Sequence, residues 1–394
     1  MKQTSLKLKI SQYTGLGARR IARTNSGNPE PVSLPAGHPY LGIRDKWYLI
    51  CTKQELGVEP QARRILGEDL VLWRDGEGNP RLMHDYCPHR GAKLSIGDVV
   101  NGELQCWYHF WRFNSDGNCV SIPSQGGKCS LQSRTKVAQT YPTVEKAGFI
   151  WSFIGDQEPP ELELPFELAD PSYSMFPESV EWSANWLLAY ENLADIMHAP
   201  FLHNRSLTLS GGIVEDSVNV SNTETGFRVE RVNQQGVNFD QVEIDLGHIM
   251  HCRLDIPLKA SFAGPGPNLR IVGFVTPVDD QNSVVHFPRF RQVSGWRRAL
   301  WRFLFRVRLR GTHLHVLNQD KAMLESLRSI PEAHRDEHLA QADKPVLHLR
   351  RALRPAFDAQ LARLSPEWIS TGPLAGTKAT EPQGKSQSAE KAGP

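Results

Sequence analysis

Two short Cys–His pairs constrain this chain more than any other feature. Cys87-Pro88-His89-Arg90-Gly91 is followed, after sixteen residues beyond His89, by Cys106-Trp107-Tyr108-His109. A thiolate and an imidazole on each of two loops act together only if the fold sets the loops face to face, so the chain between them must turn back on itself. The ligand set suits a tetrahedral zinc ion, or a two-iron cluster with thiolates on one iron and imidazoles on the other. Zinc sites of this composition usually set Cys beside Cys and His beside His, whereas here each loop carries one of each. Cys51, Cys119, Cys129 and Cys252 have no such partners and read as small core or surface residues.

The surroundings of these loops read as β structure. Trp47-Tyr48-Leu49-Ile50, Asp69 to Trp73 and Gly148 to Ile154 are short apolar runs bounded by Gly, Asp and Asn, which predicts strands of an all-β unit over residues 39–156. Residues 1–38 are rich in Gly, Pro, Ser, Lys and Arg and read as an arm. A Pro/Glu stretch, Gln157 to Pro165, marks a boundary to a second domain over 166–370, and residues 371–394 read as a disordered tail. Trp182 to Phe201 reads as a strand end running into a helix, 212–290 as alternating strands, and 314–330 and 344–364 as helices. The formal charge of +2 gives no reason to expect nucleic acid as a partner. No run approaches the ~20 apolar residues of a membrane-spanning helix. Met1 to Ile10 lacks the continuous apolar core of a secretory signal, which predicts a cytoplasmic location.

A second constellation lies downstream. His198 and His203 are five residues apart with Pro200 between them, and Pro200 is expected to end or bend the helix near Ala199 so that both imidazoles converge. Two His and one carboxylate leave open positions on a ferrous ion, as dioxygen activation requires.

Both constellations resemble those of the Rieske-type aromatic-ring hydroxylating oxygenases. Cys87 to Gly91, Cys106 to His109, Trp111 and Asp116-Gly117 look like their Rieske domain, and Asn192, Asp195, His198 and His203 look like their mononuclear iron motif, Asn-x-x-Asp-x-x-His-x-x-x-x-His. The resemblance implies an α+β protein: an N-terminal all-β Rieske domain, then an α+β catalytic domain with a central antiparallel sheet flanked by helices. It implies that Cys87 and Cys106 hold one iron of a [2Fe–2S] cluster, and His89 and His109 the other. It further implies that His198 and His203 bind a mononuclear Fe(II), with a third ligand from a later helix. Asn318 to Ser326 looks like that helix in the monooxygenase and demethylase branch, which makes Asp320 the candidate and Glu325 and Asp336 the alternatives. Asp195 would join His198 to His109 of a neighbouring subunit, with Asn192 facing the iron, in a homotrimer. Phe110 departs from the pattern, since many members have Gly there.

The implied function is a terminal oxygenase that takes electrons from a ferredoxin or flavin reductase, ultimately NAD(P)H, and uses O2 to hydroxylate or demethylate an aromatic or other lipophilic substrate. The rival readings are a desaturase or tailoring oxygenase of secondary metabolism on the same scaffold, a non-catalytic Rieske electron carrier, and a structural zinc protein. Phe227, Phe239 and Phe274 are expected to line the pocket, with His248, His251, His313 and His315 as further candidates. Arg298, Arg302, Arg306 and Arg310 recur at four-residue steps beside Ala299, Leu300, Phe303, Leu304 and Val307. That pattern predicts a basic helix lying over a core, and offers a surface for an anionic membrane or an acidic reductase.

Overall fold

The computed structural model describes residues 34–129, 138–206, 209, 212–237, 239–258 and 263–364; residues 1–33 of the expected arm and the whole expected tail lie outside them. His38, placed in the arm by composition, is fully buried and its Nδ1 accepts the Tyr40 N–H at the turn Pro39–Leu41.

The first half of the described chain carries eleven strands in three antiparallel sheets. β1 (Lys46–Thr52), β11 (Phe149–Ile154) and β10 (Thr143–Lys146) form one; β2 (Gln61–Ile65), β3 (Glu68–Arg74), β4 (Pro80–His84) and β9 (Thr140–Tyr141) form the second. The third holds β5 (Asp98–Val100), β6 (Glu103–Gln105), β7 (Arg112–Phe113) and β8 (Cys119–Ser121). β1, β3 and β11 are continuous apolar runs because both their faces are covered. Leu70 and Leu72 of β3 join Tyr48 and Ile50 in one core, while Val71 and Trp73 join Cys87, Cys106 and Phe113 in another. Trp47, Leu49, Trp151 and Phe153 turn the opposite way and pack on Val272, Phe274 and Phe290 of the second half.

The second half is built on nine antiparallel strands. β12 (Tyr173–Phe176), β20 (Arg289–Gln292), β18 (Leu269–Pro277), β17 (His251–Ile256), β16 (Gln241–Asp245), β15 (Gly226–Arg231) and β14 (Val218–Asn222) lie side by side in that order, and β19 (Ser283–His286) pairs with both β18 and β13 (Ser179–Trp182). β15 and β16 alternate buried with exposed residues, the mark of a sheet covered on one face. Helices pack on it: α1 (Phe166–Ala169), α2 (Trp186–Ala194), α3 (Ala199–Leu202), α4 (Gly295–Leu304), α5 (Arg310–Leu324), α6 (Glu332–Arg335) and α7 (Lys344–Leu361). The fold is thus α+β with a β domain ahead of an antiparallel sheet and helices, as expected. The stretch expected as a linker is strapped down: Leu162 is buried, its carbonyl accepts from Lys146 Nζ at 2.8 Å, and the Pro160 carbonyl accepts from Trp47 Nε1 at 3.0 Å.

Three sequence expectations are corrected. The helix expected at 314–330 begins at Arg310 and ends at Leu324. Pro200 does not end a helix. α2 stops at Asp195, whose extended backbone breaks the helix, and Pro200 opens the new turn α3, where its missing N–H leaves no bond unmade. The basic segment also faces differently from its pattern. Its buried stripe is Trp301, Phe305 and Leu309, continuing to Leu317, whereas Phe303 and Val307 are exposed. A four-residue repeat drifts around an ordinary α-helix, and the π-helical turn Phe305–Leu309 takes up the drift. Arg298 donates to the Pro171 and Tyr173 carbonyls, Arg302 stacks on Phe176 and Arg310 pairs with Glu178, so three of the four arginines fold back onto β12 and its flanks. Among the described residues, no helix is long and apolar enough to cross a membrane.

Candidate active site

The two Cys–His loops close in the same way. In the first, Gly91 N donates to Cys87 O and Cys87 N to Ala92 O; in the second, Phe110 N donates to Cys106 O and Cys106 N to Trp111 O. Gly91 and Phe110 therefore hold equivalent positions, and both have positive φ, +73° and +57°. Cys87 and Cys106 are buried at the loop bases, whereas His89 and His109 are exposed at the tips with ring centroids 4.6 Å apart. His89 lies flat on Trp111 at 4.3 Å. The Cys87 thiol and the backbone N–H groups of Tyr108 and His109 hold Cys106 below the usual thiol range despite burial. Cys87 is pushed up by Cys106 and by burial. Paired sulfurs inside, paired imidazoles outside and backbone N–H groups aimed at sulfur make a donor set that fits a two-iron cluster with mixed ligation.

The second site sits where α3 meets α5. His198 precedes α3 and His203 follows it, so a single turn spaces the imidazoles. Their rings are 5.2 Å apart, and both Nε2 atoms face Asp320 Oδ1, at 3.5 Å from His198 and 3.2 Å from His203. His203 Nε2 and Asp320 Oδ1 are buried without a hydrogen-bond partner, and the three ligand atoms lie within 4.8 Å of one another. Each imidazole is held from behind. His203 Nδ1 donates to Gln319 Oε1 at 3.1 Å, and Gln319 Nε2 is itself fixed on the Leu202 carbonyl. His198 Nδ1 lies 3.6 Å from Asp195 Oδ2. Burial disfavours charge on His198, yet the Asp195 and Asp320 carboxylates outweigh it and push the imidazole up to about 10. Burial likewise opposes ionisation of Asp320, but His198 and His203 hold it below the usual carboxylate range. Such a site calls for a positive charge between its ligands, and two His plus one carboxylate fit a divalent ion with open positions.

Asp320 alone of the three candidate carboxylates meets the histidines. Glu325 accepts the Ser183 N–H at 2.9 Å, and Asp336 pairs with Arg328 on the surface. A second cluster, Glu191, His334 and Glu337, already encloses the Arg350 guanidinium, which bonds both carboxylates, and reads as a tie between α2 and α7.

Two hollows meet at Asn192 and His198. One is a small cavity of about 40 Å³ lined by apolar side chains, Phe239, Leu254, Ile271 and Phe287 among them, with Arg289 and His313 as polar members. The other is an open pit that reaches Asp195 and is rimmed by Phe201, Met323 and Leu327. Of the expected pocket residues, Phe239 and His313 line the cavity, while Phe227 packs on His348 and Phe274 on Trp151. His251 is turned to the Ile249 carbonyl and is not in either lining. Sequence reasoning missed Gln319, although it adjoins Asp320, and Arg289, whose place in a strand gives no periodic signal.

Residues 46–142 match the family model of the Rieske [2Fe-2S] domain, and residues 182–359 match the vanillate O-demethylase oxygenase C-terminal domain. The chain is 34% identical over 203 residues to the tert-butanol monooxygenase / tert-amyl alcohol desaturase oxygenase subunit of Aquincola tertiaricarbonis, covering 50% of this chain and 43% of that protein. It is 36% identical over 169 residues to the dicamba O-demethylase oxygenase component of Stenotrophomonas maltophilia, covering 41% and 48%. The match thus spans about half the length of these relatives or less. The fold superposes on crystalline dicamba monooxygenase bound to dicamba with a TM-score of 0.62 at 21% identity, over 81% of this chain and 99% of that one. It superposes on a carbazole-bound oxygenase–ferredoxin complex of carbazole 1,9a-dioxygenase with a TM-score of 0.67 at 21% identity, over 83% and 94%. With a Rieske domain followed by an oxygenase catalytic domain, this chain belongs to the Rieske non-haem iron oxygenase family.

Proposed function

We propose that the chain is the terminal oxygenase component of a multi-protein system, oxidising an aromatic or other lipophilic small molecule by hydroxylation or demethylation. The observation that carries this reading is the convergence of His198, His203 and Asp320 at the wall of an apolar cavity. Cys87, His89, Cys106 and His109 would hold the [2Fe–2S] cluster. His198, His203 and Asp320 would hold a ferrous ion, which would supply the redox chemistry toward dioxygen. The chain's own residues do the rest. Gln319 fixes His203 with its proton on Nδ1, leaving Nε2 free to ligate, and Asp195 orients His198 from behind. The apolar lining holds the substrate beside the site and keeps water out. A non-catalytic electron carrier needs neither the second ligand triad nor the cavity.

A homotrimer fits the two surfaces. His109 is exposed at a convex tip beside Tyr108 and Phe110, and Asp195 lies in a pit with an apolar rim, so the tip of one subunit can seat in the pit of the next. The ferredoxin bound in the carbazole system supports a ferredoxin or flavin reductase drawing on NAD(P)H as donor. Residues 296–310 remain a candidate contact for a reductase or membrane through exposed Trp296, Phe303 and Val307.

The test is a single turnover of the chemically reduced, iron-loaded protein under ¹⁸O₂ with a panel of methoxyarenes and alkylarenes. Wild type is expected to give labelled product or the demethylated phenol, and Asp320→Ala to give none while keeping the Rieske visible spectrum. No oxygen uptake with any substrate, or an active Asp320→Ala, would overturn the reading.

A further inference from the structure

The segment that begins with α4 carries a basic, aromatic surface that the oxygenase chemistry does not use. Arg297, Arg298, Arg302, Arg306, Arg308 and Arg310 fall within it, and no Asp or Glu occurs between Asp280 and Asp320. Trp301, Phe305 and Leu309 are buried in the catalytic core. Trp296, Ala299, Phe303 and Val307 recur at three- and four-residue steps along an exposed face, with Trp296, Phe303 and Val307 at 67%, 61% and 57% exposure. Large apolar side chains exposed in a row, and not singly, mark an interaction surface. Arg298, Arg302 and Arg310 fold back onto β12 and its flanks, and Arg310 engages Glu178. Arg297, Arg306 and Arg308 stay exposed, and none of them forms an ion pair or a side-chain hydrogen bond among the described residues. Arg297 lies over the Trp296 ring at 5.8 Å.

We propose that this face of α4 and the π turn after it rests on an anionic lipid surface. Trp296, Phe303 and Val307 enter the boundary between headgroups and acyl chains, while Arg297, Arg306 and Arg308 reach the lipid phosphates. The whole chain carries a charge of only +2, so the attraction is local to this face. A protein electron donor fits it less well. The stripe buried behind the face belongs to the catalytic core with Phe176, whereas Cys87 and Cys106 belong to a separate core with Val71 and Trp73, and a donor must dock beside the cluster loops. The N-terminal arm does not complement the face either, since Lys2, Lys7, Lys9, Arg19, Arg20 and Arg23 stand there against Glu30. α5 continues the same helical run and brings His313, Val316 and Leu317 to the cavity, which sets a docked chain's cavity near the bilayer. Delivery of a lipophilic substrate from lipid rests on the oxygenase reading, but lipid binding itself does not.

The test sediments the cluster- and iron-loaded full chain with vesicles of phosphatidylcholine alone and of phosphatidylcholine mixed with phosphatidylglycerol. Wild type is expected to follow the anionic vesicles, to ignore the neutral ones and to be released by added salt. Arg297→Gln/Arg306→Gln/Arg308→Gln is expected to lower the partitioning on the order of a hundredfold, at about fivefold per arginine. Trp296→Ser/Phe303→Ser is expected to lower it by roughly tenfold or more. Both variants change exposed side chains, and an unaltered Rieske visible spectrum checks that each is folded. Wild type that binds neither vesicle, or both equally, would overturn the inference, as would undiminished binding by either folded variant. Dissociation of the native assembly in Trp296→Ser/Phe303→Ser would make the face an interface between copies. Retention of wild type through the same residues by an immobilised acidic ferredoxin, and not by lipid, would make it a donor contact; either result also overturns the inference. Lipid binding by a chain that oxidises nothing in single turnover would end the oxygenase reading and leave this one standing.

Discussion

Phe110 occupies a backbone position that the fold reserves for glycine. The matching closure of the two cluster loops sets it opposite Gly91, and its φ of +57° costs any residue with a Cβ. Its side chain stays half exposed, at 52%, beside Tyr108. Phe110→Gly is therefore expected to stabilise the domain by about 1 kcal/mol, read as a higher denaturant midpoint at unchanged slope. A residue kept under strain and turned outward next to His109 suits contact with another protein, so the same variant should weaken assembly or electron uptake. Gln319 carries the second prediction at this scale. Gln319→Leu leaves the ligands in place but frees the His203 tautomer, and should cost about 10- to 100-fold in affinity for mononuclear iron while leaving the cluster spectrum intact. Metal titration of the apo site measures it. The residues that converge in each cluster were readable from sequence, the Cys–His and His–His pairs by their spacing and Asp320 by resemblance. Gln319 and Arg289 were not, since a glutamine on a helix and an arginine on a strand carry no pattern until the fold shows what they face.

Strands were legible where burial is continuous. β1, β3 and β11 are apolar on both faces and announced themselves, while their assignment to three different cores depends on which sheet covers them. Helix ends and breaks were less legible. Pro200 signals a discontinuity but not its side, and the π turn at Phe305–Leu309 reverses which of the apolar residues around it are buried. Between elements, Glu68 on β3 ties Arg44, His84 on β4 and Tyr141 on β9. Burial would raise Glu68, but the bonds from His84, Tyr141 and Arg44 bring it down to about 2 from 4.5. A carboxylate lowered on folding stabilises above its unfolded value and loses that contribution as pH falls through its folded value. About 3 kcal/mol should therefore disappear between roughly pH 5 and pH 2. Glu68→Gln should flatten the acid limb of urea midpoints measured over that range; an unchanged limb would assign acid sensitivity elsewhere.

At the scale of the whole molecule, the two candidate metal-ligand sets lie in different domains that share a continuous core, with Trp47 and Trp151 packed against Phe274 and Phe290. The N-terminal domain and catalytic sheet are thus one packed body, which the Pro/Glu stretch between them did not suggest. In the proposed homotrimer, the exposed tip at His109 would seat in the pit at Asp195 of the next subunit. The most direct test is the iron and acid-labile sulfide content, with the reduced EPR spectrum, of anaerobically purified wild type and of His198→Ala/His203→Ala. Wild type should hold two cluster irons and two sulfides plus one mononuclear iron per chain with a Rieske signal, and the double variant should lose the single iron and keep that signal. Iron-supplied wild type that holds the cluster irons alone, or zinc in their place, would contradict the two-site oxygenase.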